Sequence, residues 1–115
     1  MATPLTKKSA RQVLVIFVTA TNRKEAVKIG EEMVHMKLAA CANIIPGIQS
    51  IYRWKGKVAK AQEALLILKS TKSRYHALEK AIKAVHTYEI PEVIALPVTE
   101  GLERYIRWVR SETHN

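Results

Sequence analysis

Apolar, β-branched residues run unbroken through VLVIFVT, residues 13–19. Such a run predicts a central strand buried on both faces. After the break at ATN the period changes. Ala26, Ile29, Gly30, Met33 and Met36 recur at helical spacing with Lys and Glu between them, predicting a helix over 22–36. Asn22 followed by Glu25 has the pattern of a capping box, with Asn in place of the usual Ser or Thr. LAACANII returns to strand character, Pro46-Gly47 interrupts it as a bulge or bend would, and IQSIYRW resumes. WKGK at 54–57 reads as a hairpin tip in which Gly56 can take positive φ. The return strand runs from Val58 to Ser70 and ends in the apolar ALLILKS.

Each arm of this hairpin is about a dozen residues long, twice the usual strand of about 5–6. A ribbon of that length outruns the core of a small domain, so its outer part should project, carrying Ile51, Tyr52 and Trp54. Exposed aromatics on a projecting ribbon imply a partner. Tyr75, Leu78, Ile82 and Val85 mark a second helix over 72–86, which Pro91 forbids from continuing. VIALPV, 93–98, reads as a short buried strand. Gly101 then precedes a third helix running to residue 112. Leu102, Ile106 and Val109 form one apolar stripe on it and Tyr105 and Trp108 another, so two surfaces must cover it. The order is β-α-β-β-α-β-α. Its first six elements match the split βαβ, ferredoxin-like pattern of an α+β domain, with an extra C-terminal helix. Both crossover helices fall on one face of the sheet, and the bare face also argues for an oligomer.

At 115 residues the chain is one domain. We divide it into a flexible basic tail, 1–12, and the domain proper, 13–112. No apolar run reaches the roughly 18 residues of a membrane span, and no apolar core of a signal peptide follows the basic start. The single Cys41 cannot form an internal disulfide, which fits a reducing cytoplasm. The net charge of +9 invites a nucleic-acid partner. However, the charge is spread along the chain, and the strands lack the aromatic stacking signature of ferredoxin-like RNA binders. The one acidic segment, −3 over residues 87–100, begins inside HTYEIPE.

HTYEIPE, residues 86–92, is the strongest candidate for chemistry. His86, Glu89 and Glu92 offer an imidazole and two carboxylates, a donor set for a divalent first-row metal such as copper or zinc. The alternative is a helix-capping His with two solvated or salt-bridged acids. Cys41, in an apolar strand, is either a small core residue or a soft metal ligand. His35 and His76 fall among polar helical positions and His114 in the tail. The chain has no aspartate, no G-x-S-x-G elbow and no glycine-rich phosphate loop, which argues against the common enzyme classes that use them.

The runs AACANIIPG with S-x-Y-x-W-x-GK, then ALLILKS, HTYEIPEVIALPV and GLERYIRW, occur in the order seen in the CutA family of divalent cation tolerance proteins. The chain resembles that family from about Val13 to Val109. The resemblance implies a homotrimer built like the PII signalling proteins, non-enzymatic and cytoplasmic, whose long hairpins reach neighbouring subunits. It implies a role in response to divalent metals, copper in particular, with a metal ion or a small anionic ligand as partner. The pocket it suggests lies at a subunit interface. Its parts would be HTYEIPE (Tyr88 included), Tyr52 and Trp54 from a hairpin, Lys69 as counter-charge, Cys41, and Trp108 at the interface. The chain departs from some relatives in carrying Val18 and Val85 where they have a Cys and a second His, and Thr87 where the motif has proline, which should loosen the turn.

Overall fold

The computed structural model describes residues 7–114. A short helix α1 (Lys7–Ala10) leads into β1 (Val13–Ala20), α2 (Arg23–His35), β2 (Cys41–Trp54), β3 (Lys57–Thr71), α3 (Lys72–Val85), β4 (Val93–Pro97) and α4 (Glu103–Glu112). The strands form one sheet in the order β2-β3-β1-β4, with every neighbouring pair antiparallel. The fold is the ferredoxin-like α+β arrangement expected from the element order. No helix among the described residues is long and apolar enough to cross a membrane.

Alternation along the strands decides which face the helices take. Ile16, Val18 and Ala20 of β1 and Ala64, Leu66 and Leu68 of β3 are buried against Ala26, Ile29 and Met33 of α2 and Leu78 and Ile82 of α3. Asn22 starts α2 by accepting the Glu25 N–H at 2.9 Å. At Gly30 the helix lies so close to the sheet that an added Cβ would stand 3.0 Å from the Ala42 Cβ.

The opposite face is where the sequence reading needs correction. VLVIFVT is not buried on both sides, since Val15, Phe17 and Thr19 are only partly covered. Phe17 pairs with Ile67 and Ile94, and Val15 with Lys69 and Leu96, so an apolar row crosses the sheet. At its β4 end Ile94 and Leu96 are 52% and 51% exposed, far more than an internal packing face would allow. Among the described residues only one end is covered, where Val109 and Ile106 of α4 pack on Val13 and Ala40. Leu102 takes no part in that stripe: it is the extended residue before α4 and is exposed.

The hairpin is bulged between Ile45 and Ile48, and its tip has Lys55 and Gly56 both at positive φ, as a two-residue turn matched to strand twist requires. Every β2–β3 pair from Ile48–Glu63 out to Trp54–Lys57 lies beyond the last β1 pair, Ala20–Ala64. Among the described residues the outer ribbon therefore has no third strand, and Ile51, Tyr52, Trp54 and Val58 are exposed on it. At the other end of the chain, residues 1–6 of the expected tail lie outside the described residues. Arg11 and Gln12 join the domain: the Arg11 carbonyl accepts from Arg110 at 2.8 Å, and Gln12 Nε2 donates to the Val98 carbonyl at 2.8 Å.

Candidate functional site

HTYEIPE forms the connection from α3 to β4 and is held from two sides. His86 closes α3, its N–H donating to the Ile82 carbonyl at 2.9 Å. Its side chain is fully buried. Nδ1 accepts the Tyr88 N–H at 3.0 Å, and Nε2 lies 2.7 Å from the Thr19 carbonyl at the end of β1. An acceptor at Nδ1 and a carbonyl facing Nε2 together place the ring proton on Nε2. The second clamp is Glu25 in the first turn of α2. Its Oε1 accepts the Thr21 N–H at 2.8 Å and its Oε2 the Thr87 N–H at 3.0 Å. Burial by itself would raise this carboxyl, but the hydrogen bonds from Thr21 and Thr87 outweigh it and hold the pKa at about 2. Thr87 thus supplies an N–H that proline lacks, and its hydroxyl lies 3.0 Å from that of Thr21. The turn expected to be loosened by this replacement is tied down by it.

Tyr88 extends the network to the hairpin, its hydroxyl donating to Glu63 Oε2 at 2.5 Å. Burial and then the carboxylate acceptor push the phenol up to about 12. Between this loop and the outer ribbon opens a cleft of about 700 Å³, walled by Tyr52, Trp54 and Tyr88. Glu63, Glu89 and Glu92 also line it, and among the described residues no Lys or Arg does. On a chain of net charge +9 this is a locally acidic hollow that attracts cations.

Other expected members of the site lie elsewhere. Cys41 faces Lys69 at the opposite end of the β2–β3 ladder from Trp54. Its Sγ is 3.5 Å from the Tyr105 hydroxyl. The Lys69 ammonium donates to Asn43 Oδ1, so within the chain it is not the counter-charge of Glu89 or Glu92. Trp108 stands beside Tyr105, ring centroids 5.6 Å apart, and lines a different cleft. His86 has both ring nitrogens engaged, and among the described residues no group of three or more His, Cys, Asp or Glu side chains is gathered closely enough to hold a metal ion. The donors of one chain therefore do not fit a tightly held resident metal. Sequence reasoning missed the roles of Thr19, Glu25 and Glu63. The only local signals were the capping-box position of Glu25 and the isolation of Glu63 as the one acid in the return strand.

Comparison with known proteins gives this geometry a family. Residues 14–112 match the model of the CutA1 divalent ion tolerance protein family. The chain is 42% identical over 99 residues to the divalent-cation tolerance protein CutA of Thermus thermophilus, spanning 86% of this chain and 96% of that one. It is 45% identical over 102 residues to the chloroplastic protein CutA of Arabidopsis thaliana, covering 89% of this chain but only 56% of that longer protein. The solved structure of the divalent cation tolerance protein from Thermus thermophilus superposes with a TM-score of 0.87 at 41% identity, over 89% of this chain and 99% of that one. The order of elements, the HTYEIPE loop and the overlong hairpin belong together for that reason: this chain is a member of the CutA1 divalent ion tolerance protein family.

Proposed function

We propose that the protein works as a homotrimer in the response to divalent cations, as a binding protein and not an enzyme, through the cleft between the outer ribbon and the HTYEIPE loop. The observation that carries this reading is the charge of the cleft: among the described residues, three carboxylates and no basic side chain line it, on a strongly basic chain. Glu89 and Glu92 are the exposed acids and meet the cation; His86, Glu25 and Glu63 hold the loop that presents them. Carboxylate oxygens without a free imidazole or thiolate suit a weakly held, exchangeable ion better than a copper site of nitrogen and sulfur donors. The trimer is supported by the bare apolar row on the sheet and by the unpaired outer ribbon, both of which a second and third copy would cover. The lone, unbridged Cys41 supports a reducing compartment such as the cytoplasm.

Isothermal titration with Zn²⁺ and with Cu²⁺ tests the cleft. The expected binding is weak, is lost in the double variant Glu89→Gln/Glu92→Gln, and is unchanged in Cys41→Ser. Binding that survives the double variant but disappears in Cys41→Ser would move the site to the far end of the hairpin. In His86→Ala the Thr19 carbonyl and Tyr88 N–H lose their partner, and leaving such buried groups unpaired costs about 1–3 kcal/mol each. That variant should be less stable without losing metal affinity in proportion.

A further inference from the structure

The cleft between the outer ribbon and the HTYEIPE loop is larger and more apolar than a bare metal ion needs. Its volume of about 700 Å³ is that of a small-molecule site, typically about 300–1,000 Å³. Among the described residues the lining includes Ile51, Tyr52, Trp54, Ala61, Tyr88 and Ile90 as well as the carboxylates. A hydrated metal ion has no apolar surface to bury against such walls. A cation with hydrocarbon attached uses both the charge and the walls.

Strand register builds this arrangement. Glu63 pairs with Ile48, Ala61 with Ser50 and Ala59 with Tyr52, so by alternation these residues share one face of the ribbon. Opposite an alanine, the Tyr52 ring has no large cross-strand neighbour to cover it and stays 44% exposed. Glu63 lies further in on the same face and is only 8% exposed. Its Oε2 accepts the Tyr88 hydroxyl at 2.5 Å, which orients the carboxylate and leaves Oε1 to a ligand. The Tyr88 ring is itself held against His86, with centroids 4.7 Å apart, and forms a fixed wall. Nearer the tip, the Trp54 ring already has the Lys55 ammonium 5.9 Å from its centroid, so Tyr52 and Tyr88 are the rings open to a ligand. Lys57, opposite Trp54, is six residues from Glu63 along β3, about 20 Å. Arg53 and Lys60 fall on the other face by the same alternation. The segment before β1 joins the domain at Val13, about 20 Å along the strand from Thr19 in the cleft lining.

From the buried carboxylate set among open aromatic walls we infer that this cleft takes an organic ammonium, an aliphatic amine whose charge meets Glu63 and whose alkyl part lies against Tyr52 and Tyr88. The inference rests on the reading of the cleft as a cation site and adds a second class of cation to it. An ammonium near an aromatic face is attracted by the negative face of the ring, and the more so when water is excluded. The metal ion of that reading meets the exposed Glu89 and Glu92, so the two cations depend on different carboxylates. The cleft shares no lining residue with the arginine-lined hollow beside Trp108, where Arg11, Arg74, Arg104, Arg107 and Arg110 gather and an ammonium is not attracted.

Titration of the ¹⁵N-labelled full chain, in its own assembly at physiological salt, with tert-butylammonium, tert-butanol and ammonium chloride tests this by NMR. Tert-butylammonium should give saturable shifts at the Tyr52, Glu63 and Tyr88 amides. The alcohol lacks the charge and ammonium lacks the hydrocarbon, so each should bind at least about tenfold more weakly. Glu63→Gln keeps an acceptor for the Tyr88 hydroxyl and should lose about tenfold in amine affinity. Tyr52→Leu, at an exposed site that tolerates change, keeps the apolar bulk without the ring and should lose several-fold. Glu103→Gln removes the same charge from α4 and should change little. Glu89→Gln/Glu92→Gln should abolish zinc binding yet weaken the amine less than Glu63→Gln does. Zinc binding without saturable amine binding would overturn this inference and leave the metal reading standing. Amine binding without zinc would do the reverse. Tert-butanol binding as tightly as tert-butylammonium, or equal losses in Glu63→Gln and Glu103→Gln, would also overturn it, by reducing it to apolar contact or diffuse attraction.

Discussion

Glu25 and His86 are far apart in the chain, yet between them they fix the loop that carries the candidate site. Glu25 accepts two backbone N–H groups, one from the segment before its own helix and one from the loop. Its folded pKa of about 2 lies below the ordinary 4.5. The folded state therefore binds the proton less readily than the unfolded chain. The resulting stability is fully present above pH 4.5 and is lost as pH falls from there towards about 2. Glu25→Gln turns one acceptor into an amide NH₂ facing an N–H, and leaving that N–H unsatisfied should cost about 1–3 kcal/mol at neutral pH. Urea denaturation of both proteins across the acid range should show the wild-type curve falling towards that of the variant. Parallel curves would mean that the carboxylate charge has no such role. His86 belongs to the same scale. Its spacing from Glu89 and Glu92 suggests a ligand set, but its side chain is turned inward to bridge β1 and the loop.

Two elements carry separate, checkable loads. Helix α2 lies against the sheet at Gly30, where an added methyl would meet Ala42 Cβ at 3.0 Å and Leu66 Cδ1 at 3.2 Å. Gly30→Ala gains about 1 kcal/mol of helix propensity but overpacks a rigid contact at a cost of about 1–3 kcal/mol. A net fall in the thermal midpoint is expected. A rise would show that the helix moves off the sheet easily. In the proposed trimer the outer ribbon would carry its load between subunits. Trp54 is 41% exposed in the single chain, so its truncation costs little unless another copy covers it. Trp54→Ala should shift the trimer towards smaller species by more than about 2 kcal/mol, the range of an interface anchor. Val34→Ala, at a similarly exposed site on α2, should leave assembly intact. Equal behaviour of the two in sedimentation would remove Trp54 from the interface.

At the scale of the molecule, charge and apolar surface are separated. The acidic cleft and the arginine-lined hollow have opposite polarity, and the apolar row through Val15, Phe17 and Ile94 crosses the uncovered face of the sheet. That row and the ribbon together lead to an expected mass of about three subunits of 13.0 kDa at micromolar concentration. A stable monomer in sedimentation equilibrium would contradict the proposed assembly. It would also leave half-exposed Ile94 and Leu96 without an explanation.

Local periodicity and turn chemistry were enough to read the elements: the β-branched run of β1, the three-four spacing of the helices, the Pro46-Gly47 interruption and the Lys55-Gly56 tip. Each depends only on neighbours within a few residues, and each is found within two residues of its expected place. The overlong hairpin and the bare sheet face were likewise legible as a count of strand lengths and helices. The partners of His86 were not, because they come from the end of β1 and from the residue two places on, and only the folded chain brings the Thr19 carbonyl to the ring. Nor was the separation of Cys41, Lys69 and Trp108 from HTYEIPE, since antiparallel register, not composition, puts Cys41 and Lys69 at the other end of the ladder, and α4 sets Trp108 beside Tyr105, whose hydroxyl lies near Cys41. The arginine hollow was read in the sequence only as scattered charge. Its members come from three segments that are contiguous nowhere along the chain, and only the packing of α4 against the sheet brings them to one surface.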